Sequence, residues 1–250
     1  MDVLASCFNA ELIKQAAENN PFIKLNDQVY RIIEQAILTG KLSEGTKLST
    51  VRIAELLDVS RTPVSDALEQ LLSEGLVVSK PGRRGYFVFD ISHASLEHLF
   101  MARRALEGTA SYICASTNIH VDLQQLRNLA VRFRDSFKTK DFACFSQLDQ
   151  DFHKLILRSC GNPYLQNLYE RLNRFIRYYS VRSQEYLLFL KDEPAFATLA
   201  CQHMSIYRAI EMGMPVMAES ASNMHIETCF NLSMRYHGIF GNISHGTQNT

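Results

Sequence analysis

Val59-Ser60-Arg61-Thr62-Pro63-Val64 is the stretch on which the fold of this chain turns. Asp58-Val59-Ser60 reads as a tight turn, Ser60 and Thr62 are short hydroxyl side chains of the kind that cap a helix, and Pro63 is tolerated in a helix only in its first turn. A helix is therefore predicted to start here, capped by Ser60 or Thr62. Val64, Ala67, Leu68, Leu71 and Leu72 carry one apolar face to about Glu74, and Gly75 ends it.

Working outward, a short helix at about 51–57 buries Ile53, Ala54, Leu56 and Leu57, and a longer one from Leu25 to near Gly40 repeats Val29, Ile32, Ile33, Ala36 and Ile37 at helical spacing. After Gly75 the period changes to two. Leu76–Ser79 and Tyr86–Phe89 are β-rich runs joined by Lys80-Pro-Gly-Arg-Arg-Gly85, which predicts a hairpin. Three helices followed by a β-hairpin make a winged helix-turn-helix over residues 25–90. Residues 1–24 form an N-terminal extension in which Leu12, Ile13, Ala16 and Ala17 suit a short helix ending at Asn19-Asn20-Pro21.

Asp90-Ile-Ser-His-Ala reads as a linker, residues 91–94. From Ser95 onward only helical periodicity is found, over about 95–117, 122–138, 141–159, 163–190, 194–212 and 215–235, with breaks such as Gly161-Asn-Pro163 and Gly213-Met-Pro215. The fold class is thus mainly α: a winged helix-turn-helix, then an all-α bundle of six or seven helices over 95–236. Residues 237–250, rich in Gly, Asn, Ser and Thr, are expected to be a flexible tail. Cys7, Cys114, Cys144, Cys160, Cys201 and Cys229 are scattered with no CxxC pair, and Met1–Leu4 runs into a polar segment rather than a signal peptide. A reducing cytoplasm is expected. No apolar run approaches a membrane span, and no membrane partner is expected.

The second helix of a helix-turn-helix pair enters the major groove with its first turn facing base edges and phosphates, so Ser60, Arg61 and Thr62 are DNA-contact candidates. In the wing, Lys80, Arg83 and Arg84 lie within five residues without an acid. Singly, the first string is only a helix cap and the second a solvated loop; in this order they point to DNA. The overall charge does not help, since 26 basic side chains meet 26 acidic ones and Phe22–Asp90 carries nine of each. Positioned cations, not bulk charge, must carry the binding.

A second constellation lies in the helical part. Asp149 and His153 are at i and i+4 of one helix and share a face. His203 lies ten residues before Gly213 and His225 ten after Pro215, so at about 1.5 Å per residue both return to one level of an antiparallel helical hairpin. Three imidazoles and a carboxylate suit a borderline divalent metal such as Zn²⁺, Ni²⁺, Mn²⁺, Co²⁺ or Fe²⁺, with positions left for water or a ligand. Arg174 and Arg177, on a neighbouring helix, either recognise an acidic group or belong to a solvated face.

The sequence resembles the GntR family of bacterial transcription regulators over about residues 25–90. The resemblance is carried by Gly40-Lys-Leu-Ser-Glu-Gly45, Val59–Val64, Ala67-Leu68-Glu-Gln-Leu71, Glu74-Gly-Leu76 and Gly82–Gly85. It implies that Arg61 and Thr62 touch operator DNA, assisted by Thr50, Arg52, Ser60, Ser65 and the wing, Gly85 included. The family usually has Arg where this chain has Ser65 and Glu where it has Thr50, which puts operator sequence and affinity in question but not the mode of binding. Residues 95–235 look like the FCD domain of the FadR subgroup, on Arg103-Arg-Ala-Leu-Glu107, Asp149-x-x-Phe-His153 with Asn162-Pro163, and His203-x21-His225. This implies that the four residues hold a metal whose open positions take a small organic-acid effector. Arg103 matches a family arginine able to clamp a carboxylate; equally, it pairs with Glu107 at i+4.

The expectation is a cytoplasmic regulator that is not an enzyme and binds a palindromic double-stranded operator as a homodimer, with affinity set by a small carboxylate. Two alternatives stand beside it. In one the metal itself is the signal; in the other the chain is a metalloenzyme with a DNA-binding appendage, which lacks an HExxH-like string and has only Asp151, two residues from His153 and pointing away, as a spare carboxylate.

Overall fold

The computed structural model describes residues 2–20, 22–80, 82–89, 93–116, 121–139 and 142–236. The expected tail, 237–250, and residues 91 and 92 of the expected linker lie outside the described residues; residues 93 and 94 already belong to a helix. The chain divides into two compact units, Met1–Ile91 and Ser92–Thr250.

The first unit holds α1 (Val3–Cys7), α2 (Ala10–Asn19), α3 (Leu25–Leu38), α4 (Thr50–Leu57) and α5 (Arg61–Ser73), with strands β1 (Lys47–Leu48), β2 (Val77–Lys80) and β3 (Arg83–Val88). α3 packs on α5 through Val29, Ile33 and Ile37 against Val64, Leu68 and Leu71, all fully buried. Asp58, left-handed at φ 55°, turns the chain from α4 into α5. The wing differs from the expected simple hairpin. It is a three-stranded antiparallel sheet in the order β1-β3-β2, with Lys47 opposite Phe87 and Val77 opposite Val88. Its turn is shorter than the expected 80–85 loop: Lys80 already pairs with Arg83, and Gly82 supplies the positive φ of 75° that so tight a turn requires.

The extension is more ordered than its sequence suggested. Asp2 accepts from the backbone N–H groups of Leu4 and Ala5 to start α1, whose Leu4 is buried together with the following Phe8. α1 packs on α4, and α2 packs on α3 and α4.

The second unit is all helical: α6 (His93–Arg103), a π-helical turn (Arg104–Gly108), α7 (Thr109–Ser116), α8 (Leu123–Thr139), α9 (Phe142–Ser159), α10 (Pro163–Leu190), α11 (Glu193–Glu211) and α12 (Pro215–Tyr236). The π turn interrupts the segment expected as one plain helix. α11 packs on α12 across Gly213, left-handed at φ 63°, and α8 packs on α9 and α11. Phe133, Phe152, Ile206 and Ile226 are fully buried at the centre. Gly108, closing the π turn, lies so near α12 that a Cβ there would sit 2.6 Å from Asn223 Oδ1.

Candidate metal centre and nucleic-acid interface

Asp149 and His153 on α9, His203 on α11 and His225 on α12 converge at the middle of the helical unit, all four buried, with one ligand atom from each lying within 4.8 Å of all the others. Asp149 Oδ1 stands 3.8 Å from His153 Nε2, 3.3 Å from His203 Nε2 and 3.9 Å from His225 Nε2, while the Nε2 atoms of His153 and His225 are 3.1 Å apart. Donors about 2.1 Å from a common cation are separated by about 3.0 Å at right angles and about 3.4 Å at the tetrahedral angle; the 3.1 and 3.3 Å edges fall in that interval, and the 3.8 and 3.9 Å edges are wider than it.

Two of the imidazoles are fixed from behind. His153 Nδ1 donates to Glu107 Oε2 at 2.8 Å and His203 Nδ1 to the carbonyl of Leu199 at 2.9 Å, which leaves each Nε2 lone pair turned inward. His203 Nε2 makes no hydrogen bond although fully buried. Such an orphaned acceptor, facing a carboxylate and two further imidazole nitrogens, is satisfied by a cation. Burial, and then the neighbouring imidazoles, hold His225 well below the usual histidine range and hence neutral.

Glu107 is the functional residue that sequence reasoning missed in this role. It lies in the π turn and joins Arg103, whose Nε donates to it at 2.8 Å, to His153; all three side chains are buried. Burial favours the neutral acid, yet Arg103 and His153 overcome this and keep Glu107 well below the usual carboxylate range. The competing expectation for Arg103, an ion pair with Glu107, is thus present. One guanidinium nitrogen, Nη1, remains buried without a partner.

A cavity of about 20 Å³ adjoins the cluster, with Asp149, Cys229, Ser183 and Ser233 on its polar side and Phe100, Phe133 and Phe145 on its apolar side. Arg174 and Arg177 on α10 are half-buried, and neither lines that cavity. Arg177 lies instead near Lys154, whose ammonium is held below its usual range by burial and then by the Arg177 charge.

Residues 98–228 match the FCD domain, and residues 25–88 match the bacterial regulatory proteins of the gntR family. The chain belongs to the GntR family. The HTH-type transcriptional repressor RspR of Escherichia coli (strain K12) is similar to this GntR regulator at 27% identity over 208 residues, covering 83% of this chain and 88% of its own. The gluconate operon transcriptional repressor of Bacillus subtilis (strain 168) is 26% identical over 179 residues, 72% of each chain. Among solved structures, the fold is shared with Escherichia coli McbR/YncC at a TM-score of 0.67 and 18% identity, covering 86% of this chain and 100% of that one. A GntR regulator from Rhodococcus sp. RHA1 gives a TM-score of 0.66 at 20% identity, covering 84% and 97%. The GntR part makes the chain a DNA-binding transcription regulator, and the FCD part is its effector-binding domain. No helix among the described residues is long and apolar enough to cross a membrane.

In the GntR head, Ser60, Arg61 and Thr62 are exposed at the start of α5. Ser60 occupies the N-cap position, but the expected cap is not made: its side chain accepts no hydrogen bond from the helix. Ser65 is half-buried against Tyr86 of β3, whose hydroxyl also bonds Glu69, so the recognition helix is tied to the wing at the position where the family resemblance led us to expect an arginine. Thr50 opens α4 and is half-buried. Arg52 is engaged by Asp2 at 2.8 Å and Glu55 at 3.3 Å. Arg84 and Gly85 are exposed on β3, and the Lys80 ammonium sits 5.5 Å from the centre of the Phe87 ring. Arg83 falls on β3, with its side chain outside the described residues.

Proposed function

We propose that this regulator binds a palindromic operator as a homodimer and that a divalent metal held by Asp149, His153, His203 and His225 receives the carboxylate of a small organic acid, which changes operator affinity. The observation that carries the metal is the convergence of three inward imidazole nitrogens and one carboxylate oxygen in a buried site with two of the imidazoles fixed from behind. When bound, the ion supplies a localised positive charge with open positions for oxygen donors, in the class of Zn²⁺, Ni²⁺, Mn²⁺, Co²⁺ or Fe²⁺. The unpartnered Arg103 Nη1 supports a carboxylate as the second group there, because a buried guanidinium donor is satisfied best by an anion. Arg174 and Arg177 serve the effector only if it extends beyond the small cavity. A relative named for the gluconate operon is consistent with an acid as signal.

In this reading residues 25–90 read DNA through Ser60, Arg61, Thr62, Lys80, Arg83 and Arg84, with Thr50, Arg52, Ser65 and Gly85 in supporting positions, and residues 95–236 sense. A single recognition helix covers one half-site, so a palindrome needs two heads. Exposed Met212, Met214, Val216 and Met217, clustered at the turn from α11 to α12, support self-association.

A second reading, in which the metal alone is the signal, is favoured by the 20 Å³ cavity, which has room for a water rather than an acid. Operator titration separates the two. The metal-loaded protein is expected to change affinity when carboxylic acids are added; a response to metal with none to any acid supports the second reading, and no response to either overturns both.

A further inference from the structure

We propose that the groove between the N-terminal extension and α3 is a second ligand site, within the DNA-binding head, that takes a small amphipathic anion: one carboxylate or phosphate on an apolar body. The inference does not rest on the metal. The groove measures about 520 Å³, within the range of small-molecule sites, whereas the cavity beside the metal cluster holds about 20 Å³. One of its walls is peculiar to this chain's extension, since the gntR match begins at residue 25 and α1 and α2 precede it.

α3 turns Val29, Ile33 and Ile37 toward α5 and leaves a second stripe, Arg31, Ile32, Gln35 and Ala36, to line the groove. α2 brings Leu12 and Ala16, one turn apart on one face, and Ile23 completes the apolar lining. As alanines, Ala16 and Ala36 leave the space between the helices unfilled, where a close-packed interface would carry larger side chains. Charge decides the occupant. Arg31 and Lys41 line the groove, both exposed, and no Asp or Glu does so among the described residues. Neither cation makes an ion pair among the described residues. The Gln28 amide and the Thr39 hydroxyl already donate to the backbone carbonyls of Ile23 and Gln35, at 3.0 and 2.7 Å. Two cations are thus left for the head of a ligand, where it stays partly hydrated, beside apolar side chains that cover its body. A ligand that bridges α2 and α3 favours the docked extension, and with it the pairing of Asp2 with Arg52, and so opposes DNA.

The test is calorimetric titration of the full chain with octanoate, octyl phosphate and octanol. One or both anions are expected to bind, the stronger identifying the head, and octanol at least about fivefold more weakly. Arg31→Ala combined with Lys41→Ala should weaken the anion by about fivefold or more, and Ala16→Phe, which fills the groove, should abolish binding. The bound anion should lower operator affinity in wild type but not in Asp2→Asn. Failure of both anions to bind, equal binding of octanol, or undiminished binding in Ala16→Phe overturns the site. So does a fall in operator affinity of the doubly substituted protein with no anion present, which assigns the two cations to DNA, or a changed oligomeric state in Ala16→Phe, which assigns the groove to a second copy. An anion that binds without changing operator affinity overturns the link to Asp2. Should Ala16→Phe not fold, the octanol comparison and the double substitution decide.

Discussion

Asp2 Oδ2 accepts a hydrogen bond from Arg52 Nε at 2.8 Å, setting an acid of the N-terminal extension on a cation of the helix-turn-helix. The same carboxylate caps α1 through its other oxygen. Arg52 is held twice, by Asp2 and by Glu55, before any phosphate arrives. Asp2→Asn should therefore raise operator affinity by about two- to fivefold, the range of an exposed ion pair. Fluorescence anisotropy at fixed salt measures it, and a fall in affinity would show that the extension assists DNA binding instead.

Arg61→Ala should weaken operator binding by about 1–3 kcal/mol and reduce the slope of log affinity against log salt by about one. Arg61 is exposed at the first position of α5, and among the described residues no side chain makes a hydrogen bond or ion pair with it. Arg52→Ala should cost less. Equal losses for the two would contradict the idea that Arg52 is preoccupied.

Glu107→Gln removes the carboxylate that fixes His153 and neutralises Arg103. Metal affinity should fall by about 10- to 100-fold, as when an outer partner of a ligating imidazole is lost. Stability should fall by about 3–5 kcal/mol because a buried guanidinium is left unpaired. Chelator competition and urea unfolding measure the two losses separately, and unchanged metal affinity would leave Glu107 a purely structural partner of Arg103.

Zn²⁺ at about 100 times its dissociation constant should stabilise the protein by about 2.7 kcal/mol, and a chelator should reverse the gain. His203→Ala should abolish it. Thermal unfolding with and without metal provides the comparison; an undiminished shift in His203→Ala would place the ion elsewhere.

Cys114 is buried, donates to the carbonyl of Ile156, and has its thiol pushed up to about 12 by burial and then by Cys160. At pH 8 it should resist alkylation that modifies the exposed Cys201, and label only on unfolding. Since the folded value lies above the unfolded one, its contribution to stability is complete below about pH 9 and declines as pH rises toward 12. Urea midpoints across that interval would reveal the decline.

The winged head was legible because Val64, Ala67, Leu68 and Leu71 repeat with helical spacing behind a turn, and the six helical segments because their periodicity breaks at Asn118, at Thr139-Lys140 and at three stretches containing Pro, two of them with Gly as well. The convergence of His203 and His225 followed from equal distances to one turn. The two-residue strand Lys47–Leu48 escaped because no alternation can be seen in two residues, and its partner is forty positions away. Glu107 was visible as an i+4 partner of Arg103, but its reach to His153 depends on tertiary packing and on a π turn that helical periodicity does not announce. Helix α1 depends on the Asp2 cap and on Phe8 finding a core, neither of which five residues reveal alone.

The 20 Å³ cavity beside the ligand cluster is walled by Phe100, Phe133 and Phe145. In the proposed reading an effector larger than water enters this cavity by moving these rings apart, and the arrangement competent to receive it is then a minority fraction of the unbound population. The measured dissociation constant then equals the intrinsic one divided by that minority fraction. In the proposed reading, sensitivity to the effector is accordingly set in part by how tightly the phenylalanines and leucines of this wall pack, and can be tuned without altering any of the four candidate metal ligands.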